Sequence, residues 1–393
     1  MEERPVVLVV GATGTHGRTG TTVVDRLIAD GCGVRVLARS NDERAAVPRT
    51  RGASTVIGDL HDRSTIVPAV DGVAAVYFTH PIDAGVISAA ANFASALGES
   101  GQRPHVVVMS MAASPHASRG RLGQARVVAE ELLMSAGLNP TILSVGALFH
   151  ENVLLLHAQS ICDHGVISNS FGSARVPWIA ATDAGELAVQ QLLEPAPSSP
   201  VVTYPPGGGL LGHGEIAKII SAETRRSVEY PPLAYQQWRE TIEAQARSGQ
   251  PSALKPAMAQ HISALGGGFA SGKAPAVPAN PQMLATTLGR APTTFTEFVQ
   301  APRRIRRRSR VAAIERDRHR RRWPHRRCRA AARGFARCTP SGRTAAGSGP
   351  VPSPYCWATT WFSSLLVGAD PNQRSSAPRN PSTSPTSSAT QAM

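Results

Sequence analysis

The sequence is short of lysine, tyrosine and cysteine. Only three of its 41 basic residues are Lys (Lys218, Lys255 and Lys273), and only one of its five Tyr, Tyr77, precedes Tyr204. A catalytic Tyr–Lys pair is therefore excluded from the first 200 residues. The five Cys (Cys32, Cys162, Cys328, Cys338 and Cys356) form no CxxC and no even, closely spaced framework. That excludes a disulfide scaffold or a cysteine–zinc site and fits a reducing cytoplasm. Cys162, Asp163 and His164 are adjacent, but neighbouring side chains rarely converge on one ion, so no metal is expected. No stretch approaches the ~18 apolar residues of a membrane span. The nearest, Cys356 to Ala369, is dotted with Thr and Ser. The start, Met1-Glu2-Glu3-Arg4, is acidic, and the apolar run behind it is too short for a signal-peptide core.

Charge is plentiful but uneven. The 393 residues carry a net +14, which as a whole suggests a nucleic-acid binder. Residues 301–393 hold nineteen Arg and three acids (Glu315, Asp317 and Asp370), whereas the first 300 hold 22 basic and 24 acidic residues. The chain is a near-neutral body with a basic tail. The tail packs six Arg between Arg303 and Arg310 and turns Ser/Thr/Pro/Gly-rich toward Met393. It reads as disordered, and three accounts are open. It is a basic arm for nucleic acid or another anionic surface, it is inert, or it is a shifted-frame translation beginning after Val299-Gln300. The scarcity of Lys suits a GC-rich gene, whose shifted frames are rich in Arg, Ala, Pro, Gly and Ser.

Apolar runs bounded by glycine alternate with helical segments in the body. Pro5–Val10, Val34–Arg39, Ser54–Ile57, Val73–Thr79, His105–Met111 and Asn139–Val145 read as strands. Arg18–Asp30, Asp62–Val70, Ile82–Leu97 and Arg121–Ala136 read as helices between them. This alternation predicts a doubly wound parallel Rossmann sheet, with the ligand at the carboxyl ends of its strands. Residues 1–150 are expected to form that dinucleotide-binding domain, and residues 151–300 a smaller α/β substrate lobe with some chain crossing back to the sheet. In the lobe, Val166–Asn169, Arg175–Ala180, Val201–Tyr204 and Ser227–Tyr230 are expected strands. Thr182-Asp183 is expected to cap a helix through Glu194. His213–Glu223 and Ala234–Arg247 are expected helices, Pro281–Gly289 and Thr294–Val299 closing helical turns, and Gly266–Pro281 a loop.

Gly11-Ala-Thr-Gly14-Thr-His-Gly17 lies directly between the first strand and first helix. That context makes it a phosphate loop: Gly11 for the turn, Gly14 for approach to a pyrophosphate, Gly17 for helix–strand packing. Thr13, Thr15 and His16 complete the expected cradle. The second strand ends in Arg39 where an NAD site would carry an acid, so NADP(H) is expected over NAD(H). Arg18 is a second candidate for that phosphate. Asp59 and Leu60 are placed on the adenine side, and Thr79 and His80 on the cofactor at the end of the fourth strand.

These pieces together resemble the NmrA-like, atypical branch of the short-chain dehydrogenase/reductase superfamily. The resemblance covers most of residues 5–300. It includes GATGTHG, VRVLAR, GDL at Gly58–Leu60, VYFTHP at Val76–Pro81, VVVMSM at Val106–Met111, GALFHEN at Gly146–Asn152 and LGRAPTTFTEFV at Leu288–Val299. It implies an NAD(P)H-dependent reductase of a quinone-like or other small acceptor. Some relatives instead bind dinucleotide as non-catalytic sensors, which here would act through a regulatory protein partner. Typical members of the superfamily use Tyr-x-x-x-Lys; in this chain that slot holds Arg126 and Glu130. Ser110 matches the superfamily serine. His150 and His80 are the candidate proton donors, and Pro81, Phe149 and Asn152 are the expected substrate-facing residues. Trp178 is expected to pack the lobe.

Overall fold

The computed structural model describes residues 5–14, 18–112, 121–247, 254–274 and 278–301. Thr15, His16 and Gly17 of the glycine loop, and the tail from residue 302 on, lie outside the described residues. The strands are β1 (Val6–Val10), β2 (Gly33–Ala38), β3 (Ser54–Ile57), β4 (Ala75–Phe78), β5 (His105–Met111), β6 (Thr141–Val145), β7 (Leu148–Phe149), β8 (Val176–Ile179), β9 (Val201–Thr203) and β10 (Gly209–Leu211). The helices are α1 (Thr19–Ala29), α2 (Glu43–Thr50), α3 (Arg63–Val70), α4 (Val86–Ser100), α5 (Arg121–Ser135), α6 (Asn152–His164), α7 (Ala181–Leu193), α8 (His213–Thr224), α9 (Tyr235–Arg247), α10 (Pro256–Ala270), α11 (Pro281–Leu288) and α12 (residues 295–301).

Seven strands form one parallel sheet in the order β3-β2-β1-β4-β5-β6-β9. This is the doubly wound Rossmann-type sheet that the alternation predicts. Its central strands are apolar throughout because helices cover both faces. Val7, Val9 and Tyr77 face Val23, Leu27 and Leu187, from α1 and α7. Leu8, Val10 and Phe78 face Ile66, Phe93, Leu97 and Leu133, from α3, α4 and α5. The order reverses between β1 and β4, and such a switch point opens a crevice at the strand ends. A second, three-stranded sheet, β10-β8-β7, carries the remaining core with α6, α8, α9, α10 and α12. Trp178 and Trp238 are fully buried there, and Trp178 Nε1 donates to the Leu211 carbonyl at 3.0 Å. Among the described residues no helix is long and apolar enough to cross a membrane.

Several local expectations change. Val166–Asn169 and Ser227–Tyr230 are not strands; they meet in a single bridge, Val166 to Glu229, with too few pairings to make a ladder. Helices α2, α6 and α10 were not expected. Asp42 caps α2, its carboxylate accepting from the Arg44 and Ala45 N–H groups. Helix α10 contains Gly266-Gly267-Gly268, which reads as loop. The first two glycines are required by packing: a Cβ on Gly266 would sit 3.0 Å from the Phe171 ring, and one on Gly267 3.0 Å from the Tyr235 ring.

Asp183 does not cap α7, whose N-cap is Ala180. It lies fully buried in the first turn and ties α7 to the loop after α11. Its carboxylate accepts from Arg290 Nη2 at 2.8 Å, from Thr293 N at 2.7 Å and from Thr293 Oγ1 at 2.7 Å. Arg290 also pairs with Glu186 of α7. Removing one partner of a buried charged network is costly because the others keep their desolvation penalty. Asp183→Ala should lower unfolding free energy by about 3 kcal/mol. The check is the urea midpoint at unchanged m-value; a midpoint equal to that of the wild type would refute it.

Candidate dinucleotide and acceptor site

The crevice is built by close backbone approach. Gly11 ends β1 with φ +88°, and a Cβ there would run into Thr79 Cγ2 at the end of β4. Gly14 N donates back to the Gly11 carbonyl at 3.1 Å. A Cβ on Gly20, in the first turn of α1, would come within 2.9 Å of Ala12 Cα. Gly20 thus makes a close helix–loop contact that sequence reading missed, while Gly17, expected to pack helix on strand, lies outside the described residues. The signal for Gly20 was a second glycine three residues on. Helix α1 opens without a side-chain cap, so its N-terminal dipole end is uncompensated by its own cap residue.

A cavity of about 310 Å³ lies over this turn. Gly11, Thr13, Gly14, Arg39, Asp59, Leu60, Thr79, His80 and Pro81 all line it. These cofactor expectations therefore share one wall, and Pro81, expected on the substrate, joins them; Arg18, the second candidate for the phosphate, does not line it. Arg39 is exposed at this wall, and no hydrogen bond or ion pair engages it among the described residues. The nearby acid Asp42 is already committed: its carboxylate pairs with Arg44 and accepts from Ser40, which holds it well below the usual carboxylate range. A glycine turn at one end and an exposed guanidinium at the other suit a nicotinamide dinucleotide.

A second cavity, of about 410 Å³, adjoins the first: Thr19, Thr79, His80, Ile82 and Met258 line both. Its wall is mainly apolar: Met109, Met111, Val145, Leu148, Phe149, Ile262, Leu265 and Phe269, with Ser110, Arg126, Asn152, Tyr204 and His261 as its polar points. Asn152 is 4% exposed and its Oδ1 has no partner, an acceptor buried in the wall. Thr19 is held by Tyr77, whose hydroxyl donates to it at 2.7 Å. Full burial raises the Tyr77 pKa and leaves that hydroxyl inert.

The two histidine expectations are corrected. His150 lines neither cavity. It is 3% exposed, packs against Trp178, Phe295 and Phe298, and has no partner at Nδ1. Burial pushes its pKa down to about 3, so it is neutral packing material. His80 does border both cavities, but burial lowers its pKa to about 4. Its Nδ1 lies 2.9 Å from the Pro81 carbonyl, which can only accept, so that N–H is spent on its own loop.

The Tyr-x-x-x-Lys slot is structurally occupied. Arg126 is 7% exposed, and its Nη2 donates to the His80 carbonyl at 2.5 Å and to the Pro81 carbonyl at 3.2 Å. Burial brings its pKa down to about 10, and it stays charged. One turn on, Glu130 accepts a hydrogen bond from Ser110 Oγ. Burial raises the Glu130 carboxyl, against the pull of Ser110 and Arg126.

The fold has counterparts among known proteins. The model of the NmrA-like family matches residues 3–298. The chain belongs to this family. This NmrA-like protein is 28% identical over 297 residues to an NAD(P)H azoreductase of Xenophilus azovorans, covering 75% of this chain and 97% of the relative. Among solved structures it resembles an NADPH-dependent quinone oxidoreductase of Escherichia coli complexed with NADPH, at TM-score 0.59 and 18% identity over 74% of this chain and 97% of that one. It also resembles a Citrobacter triphenylmethane reductase, at TM-score 0.60 and 19% identity over 75% of this chain and 98% of that one. At such identities the structures speak for the fold. Among the described residues no cluster of three or more His, Cys, Asp or Glu is placed to hold a metal ion.

The buried histidines set an acid limit to stability. His80, His150 and His157 have pKa values near 4, 3 and 3, each lowered by burial. Below about pH 6.5 the unfolded chain binds protons that the native protein refuses. Stability from this source is present above that pH and is lost as pH falls toward 4. Each histidine should cost on the order of 1 kcal/mol per pH unit across that window. Denaturant titrations from pH 7 to pH 4 should show a shallower slope for His150→Phe than for wild type; equal slopes would remove His150 from the account.

Proposed function

We propose that this NmrA-like protein is an NADPH-dependent reductase of flat, conjugated acceptors of the quinone type. The observation that carries the reading is the mainly apolar second cavity beside the first, with Thr79 and His80 lining both. A flat apolar acceptor would be held by burial against Phe149, Met111 and Phe269. The azoreductase and quinone reductase relatives support the same chemistry. When bound, the reduced nicotinamide dinucleotide supplies a hydride. The chain's own part is positioning. Gly11 and Gly14 leave room for the pyrophosphate, Arg39 neutralises a 2′-phosphate, and Asn152 offers its unpaired oxygen to a donor on the ligand. Alignment of two rings supplies much of the barrier reduction in such a transfer. Residues 1–150 supply the glycine turn and Arg39, and both segments wall the acceptor cavity, Met111 and Phe149 from the first and Phe269 from the second.

The direct test is NADPH oxidation by a panel of quinones and azo dyes. Turnover of at least one is expected. Tight NADPH binding without oxidation by any acceptor would make the protein a dinucleotide sensor instead. The NADPH preference has its own test in Arg39→Ser. Loss of a charge-assisted phosphate contact, about 1.5–3 kcal/mol, should weaken NADPH binding about ten- to a hundredfold and leave NADH binding unchanged. Equal weakening of both would show that Arg39 does not read the 2′-phosphate.

A further inference from the structure

Reduction of a neutral acceptor by hydride leaves a negative charge that a proton must meet. The second cavity has few groups able to give one. The His80 N–H is bonded to the Pro81 carbonyl, and His150 is elsewhere. His261 is pushed down to about 4 by burial and by Arg126. Arg126 spends its Nη2 on the His80 and Pro81 carbonyls, and Tyr204 is 58% exposed. Of the wall hydroxyls Thr19, Thr79 and Ser110, it is Ser110 that has a carboxyl behind it among the described residues: it is 7% exposed, lies at the end of β5, and is hydrogen-bonded to Glu130.

We propose that Ser110 donates the proton that accompanies reduction of the acceptor and that Glu130 resupplies it from behind the wall. This rests on the reductase reading. The two electrons arrive with a hydride from a dihydronicotinamide. With Glu130 protonated, its carboxyl donates to Ser110 Oγ and the serine O–H is free to turn to the acceptor. As the new O–H or N–H bond of the product forms, the Ser110 O–H bond breaks, and Ser110 Oγ takes the Glu130 carboxyl proton. The Glu130 carboxylate is then reprotonated from water. Glu130 lines neither cavity, so it acts only through Ser110.

The surroundings suit a carboxyl that holds its proton more tightly than usual. Burial and Glu131 raise Glu130, while Ser110 and Arg126 oppose them. The charge of Arg126 is shared, since Asp83 also acts on it and His80 and Pro81 take its Nη2. Helix α4, packed along α5, brings only Glu99, which pairs with Arg63.

Two measurements test this. Infrared pH titration of the full chain without cofactor should show, besides the carboxyl of buried Glu151, one titrating above the ordinary Glu value of about 4.3 that Glu130→Gln removes. Its absence from the wild type would overturn the proposal. In NADPH oxidation, wild-type kcat should fall as pH rises through that value, and Glu130→Gln should lose that limb. Ser110→Ala should lower kcat about a hundredfold with KM for NADPH little changed, and Ser110→Thr should restore most of it. Turnover with an unchanged pH profile in Glu130→Gln, or unchanged kcat in Ser110→Ala, would overturn the relay and leave the reductase reading standing. No oxidation with any acceptor would overturn both.

Discussion

The site depends on one buried cation. Arg126 reaches from α5 to the carbonyls of His80 and Pro81, at the end of β4. That turn lies where the two cavities meet, and it lies beside the glycine loop, because Gly11 rests directly on Thr79. A guanidinium suits this place because its fixed fork can bond two successive carbonyls while staying charged. A lysine would offer a point charge and a tyrosine no charge. The substitution in the family's Tyr-x-x-x-Lys slot therefore changes its use. The first position now braces a loop, and the second, Glu130, faces the strand-end serine.

Features with a strong local cause were legible in the sequence. The sheet strands are apolar runs stopped by glycine, and their spacing leaves room for one covering helix each. The phosphate turn announces itself by glycines that a side chain could not replace. The near-neutral charge of the first 300 residues separates the body from the tail. Arg39 could be picked out because the second strand ends on it, and the structure adds that Asp42 is tied to Arg44 and to the cap of α2.

What was not legible depends on distant partners. Gly266-Gly267-Gly268 looks like loop until Phe171 and Tyr235 are seen against it. Asp183 looks like a cap until Arg290 and Thr293 arrive from over a hundred residues away. His150 sits in a motif that points to the substrate, yet the strand pair β7–β8 turns it into the core beside Trp178. Its neighbour Asn152 reaches the cavity wall. Direction over two residues is set by that small sheet, and no pattern in the chain reveals it.

The distribution of polar groups around the acceptor cavity bears on how such a protein could work without the superfamily's Tyr–Lys pair. A tyrosine general acid needs a nearby cation to lower its pKa, which places charge beside the acceptor. Here the charge is set back. Arg126 spends its Nη2 on backbone carbonyls, Glu130 stands behind Ser110, and the histidines on the wall are held neutral by burial. The surface left to the ligand is mainly apolar, with methionine, leucine and phenylalanine as its larger side chains. Such a wall selects for flatness and apolar area more than for a particular hydrogen-bonding pattern, since thioether and aromatic side chains adapt to shape. A small hydroxyl backed by a carboxyl can serve oxygen and nitrogen acceptors alike, whereas a buried ion pair would favour one charge state. Breadth of acceptor and economy of catalytic groups then follow from the same arrangement.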